Sequence, residues 1–269
     1  MSSVGTLDYP IPPRGADLPC DDGVPMETER HRNQMWMLIE TLKVGWKHRD
    51  DFYVAGDMFL YFSETQVRKN DFRGPDLFVV LGTDKRERKS WVVWEEDAKL
   101  PSVVVELLSE STEAVDRGKK MRIYAEQLRV PYYYLFDPFT KVFEGYELDL
   151  KAGRYARMAP EPDGTIACPV LGLRLGTRRG VYMDTDTEWL RWIEPDGRVL
   201  PTRGEEAEAL AALERARAES EVARAESEAA RAESEARRAV EAESLLNDER
   251  RRVDELTARI RELESRSGA

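Results

Sequence analysis

The sequence predicts an α/β body with a mixed central β-sheet flanked by helices, followed by a long C-terminal helix of coiled-coil character. Three observations carry this reading. Nearly all aromatic and β-branched residues lie between residue 25 and about residue 200, many in short apolar runs bounded by Pro, Gly and Asp. Two intervening stretches space their apolar residues as helices do. From Gly204 onward the composition changes to Ala, Glu, Arg and Ser, with no aromatic and no proline.

Composition bounds the answer. A chain of 269 residues suffices for one sizeable core and an appendage. The net charge of -11 opposes whole-chain attraction to nucleic acid or anionic membranes, but permits a local basic face. No apolar run approaches the roughly 20 residues needed to span a bilayer. The opening MSSVGTLDYPIPPRG lacks the apolar centre of a secretory signal. Cys20 and Cys168 make neither a disulfide framework nor a zinc site, so a reducing cytoplasm is expected.

Residues 1–24, rich in Pro, Gly and Asp, read as an extended arm, and residues 25–203 as the folded domain. Residues 27–48 predict a helix, because Met35, Leu38, Ile39 and Leu42 form one apolar stripe. Residues 51–62 predict a strand pair or one long strand. Strands follow at 73–82, opened by Pro75, at 89–97, and at 101–109 after Pro101. Residues 111–129 predict a second helix, N-capped by Ser111 or Thr112, with Glu113 and Asp116 in its first turn. A strand at 131–138 lies between prolines, and 141–148, 154–159 and 180–183 read as outer strands. Helix, strands, helix, strands in that order implies a mixed sheet.

Residues 204–269 repeat every seven: ARAESEV, ARAESEA, ARAESEA, then RRAVEAE. Strong helix formers dominate, and about 60 residues make a rod of roughly 90 Å. Ala218, Ala225, Ala232 and Ala239 recur on one line, continued by Leu246, Val253 and Ile260. Val222, Ala229 and Ala236 sit four residues after the first three, whereas Leu256 and Leu263 sit three residues after Val253 and Ile260, so the seam shifts midway. The rod reads as a dimerisation or partner-binding element, or else as a solvated single helix laced with charge pairs.

Familiar catalytic signatures are absent: no phosphate-binding P-loop, dinucleotide glycine fingerprint, G-x-S-x-G elbow or H-E-x-x-H. His31 and His48 are the only histidines. Carboxylates and lysines remain, which suit hard, oxygen-seeking cations. Glu106 interrupts an apolar strand, where an ionised carboxylate is costly without a cationic partner. Alternation puts it on the face of Val104 and Leu108. Asp76 opens an equally apolar strand, on the face of Phe78 and Val80. If the strands are neighbours, the two acids repel unless one is protonated or a cation sits between them. Taken singly, Asp76 also reads as a turn residue after proline, and Glu106 as half of a buried ion pair. Lys120 borders the buried stripe of Met121, Tyr124, Ala125 and Leu128. It either pairs with Asp116 one turn earlier or leans toward the acids, where it would orient a water or stabilise a phosphate.

These residues carry a resemblance. GPD, then 29 residues, then ELLSEST, DRGKK, a tyrosine and PYYYLFDP resembles the Uma2 family of restriction-type endonucleases, part of the PD-(D/E)XK nuclease superfamily. The resemblance spans roughly residues 20 to 200 and leaves the rod outside. It implies a restriction-endonuclease-like core. It also implies a Mg²⁺- or Mn²⁺-dependent phosphodiesterase in which Asp76 and Glu106 bind the metal beside a backbone carbonyl and Lys120 positions the nucleophile. The superfamily lysine two residues after the second acid is replaced by Leu108; the family pattern D-x-x-x-K-x-x-x-Y instead falls on Asp116, Lys120 and Tyr124. An acid from the first helix often joins such sites, and Glu27, Glu29 and Glu40 are candidates.

The function implied is an endonuclease acting on DNA. The alternatives are an RNA or junction nuclease, and a catalytically degenerate adaptor that recruits partners through its rod. Three basic stretches, at 68–73, 84–89 and 116–122, bracket the proposed site and offer phosphate contacts, or else are solvated loops. A homodimer or coiled-coil partner through 204–269 is expected, and no membrane.

Overall fold

The computed structural model describes residues 13–20, 28–63 and 74–267, with the side chains of 17 and 262–267 excepted. It contains two compact units, Met1–Glu206 and Ala207–Ala269.

In the first unit, helix α1 (Glu29–Gly45) is N-capped by Thr28, whose hydroxyl accepts from the His31 N–H. Strands β1 (Phe52–Ala55) and β2 (Leu60–Tyr61) follow, then β3 (Leu77–Leu81), β4 (Trp91–Val92) and β5 (Val103–Leu107). The strand expected across 89–97 is only two residues long, because Val93–Glu95 tightens into a 3₁₀ turn. Helix α2 joins three pieces: Glu113–Val115, a π turn at Asp116–Lys120, and Met121–Glu126. Thr112, one of the two expected caps, occupies the N-cap position without a side-chain cap bond. Ser109 Oγ instead accepts from the Thr112 N–H. Strands β6 (Tyr132–Phe136), β7 (Phe143–Asp149) and β8 (Arg154–Arg157) complete the main sheet.

That sheet has the order β1-β3-β5-β6-β7-β8. It is mixed, since β5 and β6 run parallel and the other neighbours antiparallel. Every residue of β5 and β6 is buried, as expected for a central parallel pair covered on both faces. On one face Val103, Val105 and Leu107 pack with Met35, Leu38 and Leu42 of α1. On the other, Phe78, Val104 and Leu108 pack with Ile123 and Tyr124 of α2.

Strands β9 (Ile166–Cys168), β10 (Leu173–Tyr182) and β11 (Thr185–Ile193) form a second, antiparallel sheet. Only its tip, at 180–183, was expected. Its turn puts Met183 and Asp184 at positive φ, where Asn-Gly or Asp-Gly is the usual sequence, so no turn signal marks the hairpin. Part of the arm is packed on the body. Leu18 is buried, the Gly15 N–H donates to Glu95, and the Tyr61 hydroxyl donates to the Pro19 carbonyl.

Helix α3 (Arg203–Ser267) opens with a capping box. The Glu205 N–H donates to the Thr202 hydroxyl, and the Thr202 N–H to the Glu205 carboxylate. Arg191, 5% exposed, pairs with Glu205, and Glu40 accepts from the Arg203 N–H, so this helix start is fastened to the body. In the second unit, Leu246, Val253, Leu256 and Ile260 are all more than half exposed.

One glycine governs where β3 begins. A Cβ at Gly56 would collide with the Asp76 carbonyl oxygen and lie 2.6 Å from Met35 Sδ. Gly56→Ala is therefore expected to destabilise the body by about 1–3 kcal/mol. Denaturant unfolding checks it, and a midpoint equal to wild type would contradict this account of the packing.

Candidate active site

The register of β3 on β5 pairs Leu77 with Val105 and Phe78 with Val104. Its next step sets Asp76 opposite Glu106, on the face that carries Phe78 and Val104. The hydrogen bonds follow that placement. The Asp76 N–H donates to Glu106 Oε2 at 3.1 Å, and the Leu107 N–H donates to Asp76 Oδ2 at 2.6 Å. Glu106 is fully buried, while Asp76 keeps partial exposure.

Helix α2 supplies the counter-charge. Lys120 Nζ lies 3.0 Å from Glu106 Oε2 and 2.9 Å from Asp116 Oδ1. Both sequence-level alternatives for Lys120 thus hold together. The Tyr124 hydroxyl donates to Glu106 Oε1 at 2.9 Å. Asp116, Lys120 and Tyr124 are spaced four apart, which keeps them on one side of the helix. The π turn sits under this row, as such turns often do at functional sites. Tyr133, on β6, donates its hydroxyl to the Asp116 carbonyl oxygen at 3.0 Å and so braces that turn.

Asp116 was expected in the helix's first turn, as a partner of Lys120 and as the first residue of the family pattern, but was not counted among the site's acids. It is 1% exposed, so its carboxylate belongs to the buried cluster. Three acids, Asp76, Glu106 and Asp116, therefore surround one ammonium.

The electrostatics follow from that count. Burial pushes the Glu106 carboxyl up to about 8; Lys120 pulls the other way, and Asp76 and Asp116 add to the rise. Burial likewise lifts Asp76 to about 6, again against Lys120. For Lys120, burial disfavours the charge, but Glu106, Asp116 and Asp76 outweigh it and hold the ammonium's pKa above its usual value.

The other expected members lie elsewhere. Glu27 and the stretch 68–73 are outside the described residues. Glu29 is exposed. Glu40 accepts from the Tyr182 hydroxyl and the Arg203 N–H. Within 84–89, Arg88 is buried against Glu96 at 2.7 Å and Arg86 reaches the same carboxylate at 2.6 Å. Those two guanidiniums tie their loop to Glu96, with Arg88 buried and Arg86 exposed. Within 116–122, Arg117 pairs with Glu113 and Glu144. The first helix sends a different residue to the end of β5. His31, 4% exposed, donates from Nε2 to the Leu108 carbonyl at 3.0 Å. Nothing in the local sequence marked it, because that contact is set by tertiary packing.

A pH dependence follows. Asp76 and Glu106 both titrate above their unfolded values, so between about pH 4 and pH 8 the native state binds more protons than the unfolded chain. Stability then falls as pH rises through that window. In EDTA, the melting temperature is expected to be lower at pH 8 than at pH 5, with a smaller fall in Glu106→Gln. Scanning calorimetry checks this, and equal slopes in the two proteins would contradict it.

Comparison with known proteins adds the lineage. A family model described as "Uma2: Putative restriction endonuclease" matches residues 23–204. Among solved structures, a crystal structure described as "a putative nuclease" from Anabaena variabilis is similar at 14% identity and a TM-score of 0.40, over 54% of this chain and 75% of that one. No curated protein matches. With about two thirds of its length covered by that one model, the chain belongs to the Uma2 family.

Proposed function

We propose that the chain is a divalent-metal-dependent endonuclease that hydrolyses DNA phosphodiester bonds, with Mg²⁺ or Mn²⁺ as cofactor. Family membership supports the nuclease class. The observation that carries the finer reading is the cluster of Asp76, Glu106 and Asp116 at the end of β5, in which Lys120 pairs with Glu106 and Asp116 and is the one cation paired with them among the described residues. The donor set fits a hard dication. Carboxylate oxygens suit magnesium, which commonly takes one or two protein carboxylates and completes its shell with water and substrate phosphate. Among the described residues no group of three or more acidic, histidine or cysteine side chains is placed to hold a metal ion, so the proposed site rests on two carboxylates, Asp76 and Glu106.

Asp76 and Glu106 are the proposed metal ligands, with a backbone carbonyl beside Glu106. When bound, the ion supplies a lowered pKa for a coordinated water and shielding for the phosphate. The chain's own residues position and balance charge. The Leu107 N–H aligns Asp76, and the Tyr124 hydroxyl with the Asp76 N–H aligns Glu106. Asp116 holds Lys120 as an ammonium, ready to orient the attacking water or to stabilise the charge developing on phosphate. Leu108, at the superfamily lysine position, is 2% exposed among apolar side chains, so the ammonium comes from the neighbouring helix.

The proposed organisation is an arm at 1–24, the nuclease-like domain at 25–203 and a rod at 204–269, in a cytoplasmic protein. Among the described residues no helix is long and apolar enough to cross a membrane. The rod's exposed line of Leu246, Val253, Leu256 and Ile260 favours a coiled-coil partner, most simply a second copy. The same line supports the second reading, a catalytically silent adaptor.

Plasmid nicking with Mg²⁺ or Mn²⁺ tests the reaction. Asp76→Ala, Glu106→Ala and Lys120→Ala are each expected to lose on the order of 10²-fold or more in rate. Activity that survives removal of both acids would eliminate this site, and a wild type that cleaves no nucleic acid would leave the adaptor. Sedimentation of the chain ended before Gly204 tests the rod. The expected result is a smaller oligomer than the full chain, and an unchanged state would remove the rod as the association element.

A further inference from the structure

Resting on the nucleic-acid reading above, a second feature names the part of the substrate that the site would grip. Beside the end of β5 lies a cleft of about 530 Å³, whose lining includes Thr28, His31, Ser109, Asp137, Phe139 and Thr140. Phe139 is unusual there. Its phenyl ring is 53% exposed, although it sits on a turn that is tightly tied. Asp137 Oδ1 accepts from the Phe139 and Thr140 N–H groups at 2.7 and 3.1 Å, and Oδ2 accepts from the Thr140 hydroxyl at 2.7 Å. The Asp137 N–H donates to the Val142 carbonyl at 2.9 Å, closing the β6–β7 connection. An exposed aromatic on a pre-organised turn loses little freedom when it binds.

The ring is also placed. The Arg30 guanidinium carbon lies 4.7 Å from its centroid, a cation–π contact. The His31 ring lies 5.7 Å away, tilted by 48°, and His31 is bonded to the Leu108 carbonyl, two residues past Glu106. Leu107 pairs with Phe136, three residues before Phe139. Because β5 and β6 are parallel, the turn that carries the ring leaves the sheet at the same end as the strand that carries Glu106.

Charge in the cleft does not forbid nucleic acid. The Asp137 carboxylate is taken up by its turn, and Glu113 is paired with Arg117 at 2.7 Å. Glu110 remains exposed on the wall, and Arg30 adds a positive charge at the Phe139 ring. A flat apolar face beside a guanidinium matches a nucleobase and its phosphate, the pairing that single-strand binders use. We infer that Phe139, backed by Arg30, is a stacking platform for one unpaired base next to the scissile position, in a single strand or a splayed duplex.

The test uses the full chain with Asp76→Asn, to suppress cleavage, and fluorescence anisotropy with two labelled 12-mers. One is oligothymidylate and the other is an abasic strand of the same length. The parent is expected to bind the base-bearing strand about tenfold or more tighter than the abasic one. Phe139→Ala should remove that preference and leave abasic binding unchanged, and Phe139→Trp should restore it. A parent that does not discriminate, or that binds neither strand, overturns the platform, as does a preference that survives Phe139→Ala. The nuclease reading fails separately. If the wild type cuts nothing while the Phe139-dependent preference persists, catalysis falls and the platform stands.

Discussion

Glu106 is the residue around which the rest of the body is arranged. It is fully buried on a central strand and, with Asp76 and Asp116, shares a single ammonium. Among the described residues only Lys120 is paired with these acids, and low-dielectric surroundings make an unbalanced carboxylate expensive. The chain by itself can relieve it only by keeping protons on acids that would ordinarily have lost them, which is the direction in which both Asp76 and Glu106 are pushed. A site that favours protonated carboxyls is one whose charge a dication would balance.

The scaffold holds these groups with little slack. The antiparallel register of β3 on β5 sets Asp76 against Glu106, and Gly56 leaves room for the Asp76 carbonyl oxygen. The parallel β5–β6 pair brings Tyr133 under the π turn of α2, where it bonds the Asp116 carbonyl oxygen. That turn carries Asp116 and Lys120, and the helix beyond it carries Tyr124. The rings of Tyr124 and Tyr133, with centroids 5.4 Å apart and planes tilted by 53°, are both fully buried beside the acids, whereas Asp76 keeps partial exposure. Rigid first contacts of this kind are what positioning chemistry requires.

Much of this could be read in the sequence, for stated physical reasons. Strict side-chain alternation in two apolar strands put Asp76 and Glu106 on faces named by their neighbours, and the structure brings them together on one face. The spacing of Asp116, Lys120 and Tyr124 placed them on one side of a helix. What could not be read was set by long-range packing. Whether Lys120 faced Asp116 or Glu106 depended on how α2 lies on the sheet, and it contacts both. Arg86 and Arg88 look like a basic patch in the chain, but both pair with Glu96, which buries Arg88 and leaves Arg86 exposed. The β10–β11 hairpin went unread because Met183-Asp184 is an uncommon pair for a turn at positive φ. His31 carried no local signal, since its burial and its bond to the Leu108 carbonyl come from packing against a distant segment, which also sets the Phe139 ring beside it.

The claim that the acids form a cation site is tested most directly by crystals of the full chain soaked in Mn²⁺, with anomalous scattering collected near the manganese edge. The account predicts a peak bonded to carboxylate oxygens of both Asp76 and Glu106, absent from crystals of Asp76→Ala. A strong peak elsewhere, or none between these two strands at saturating Mn²⁺, would contradict it.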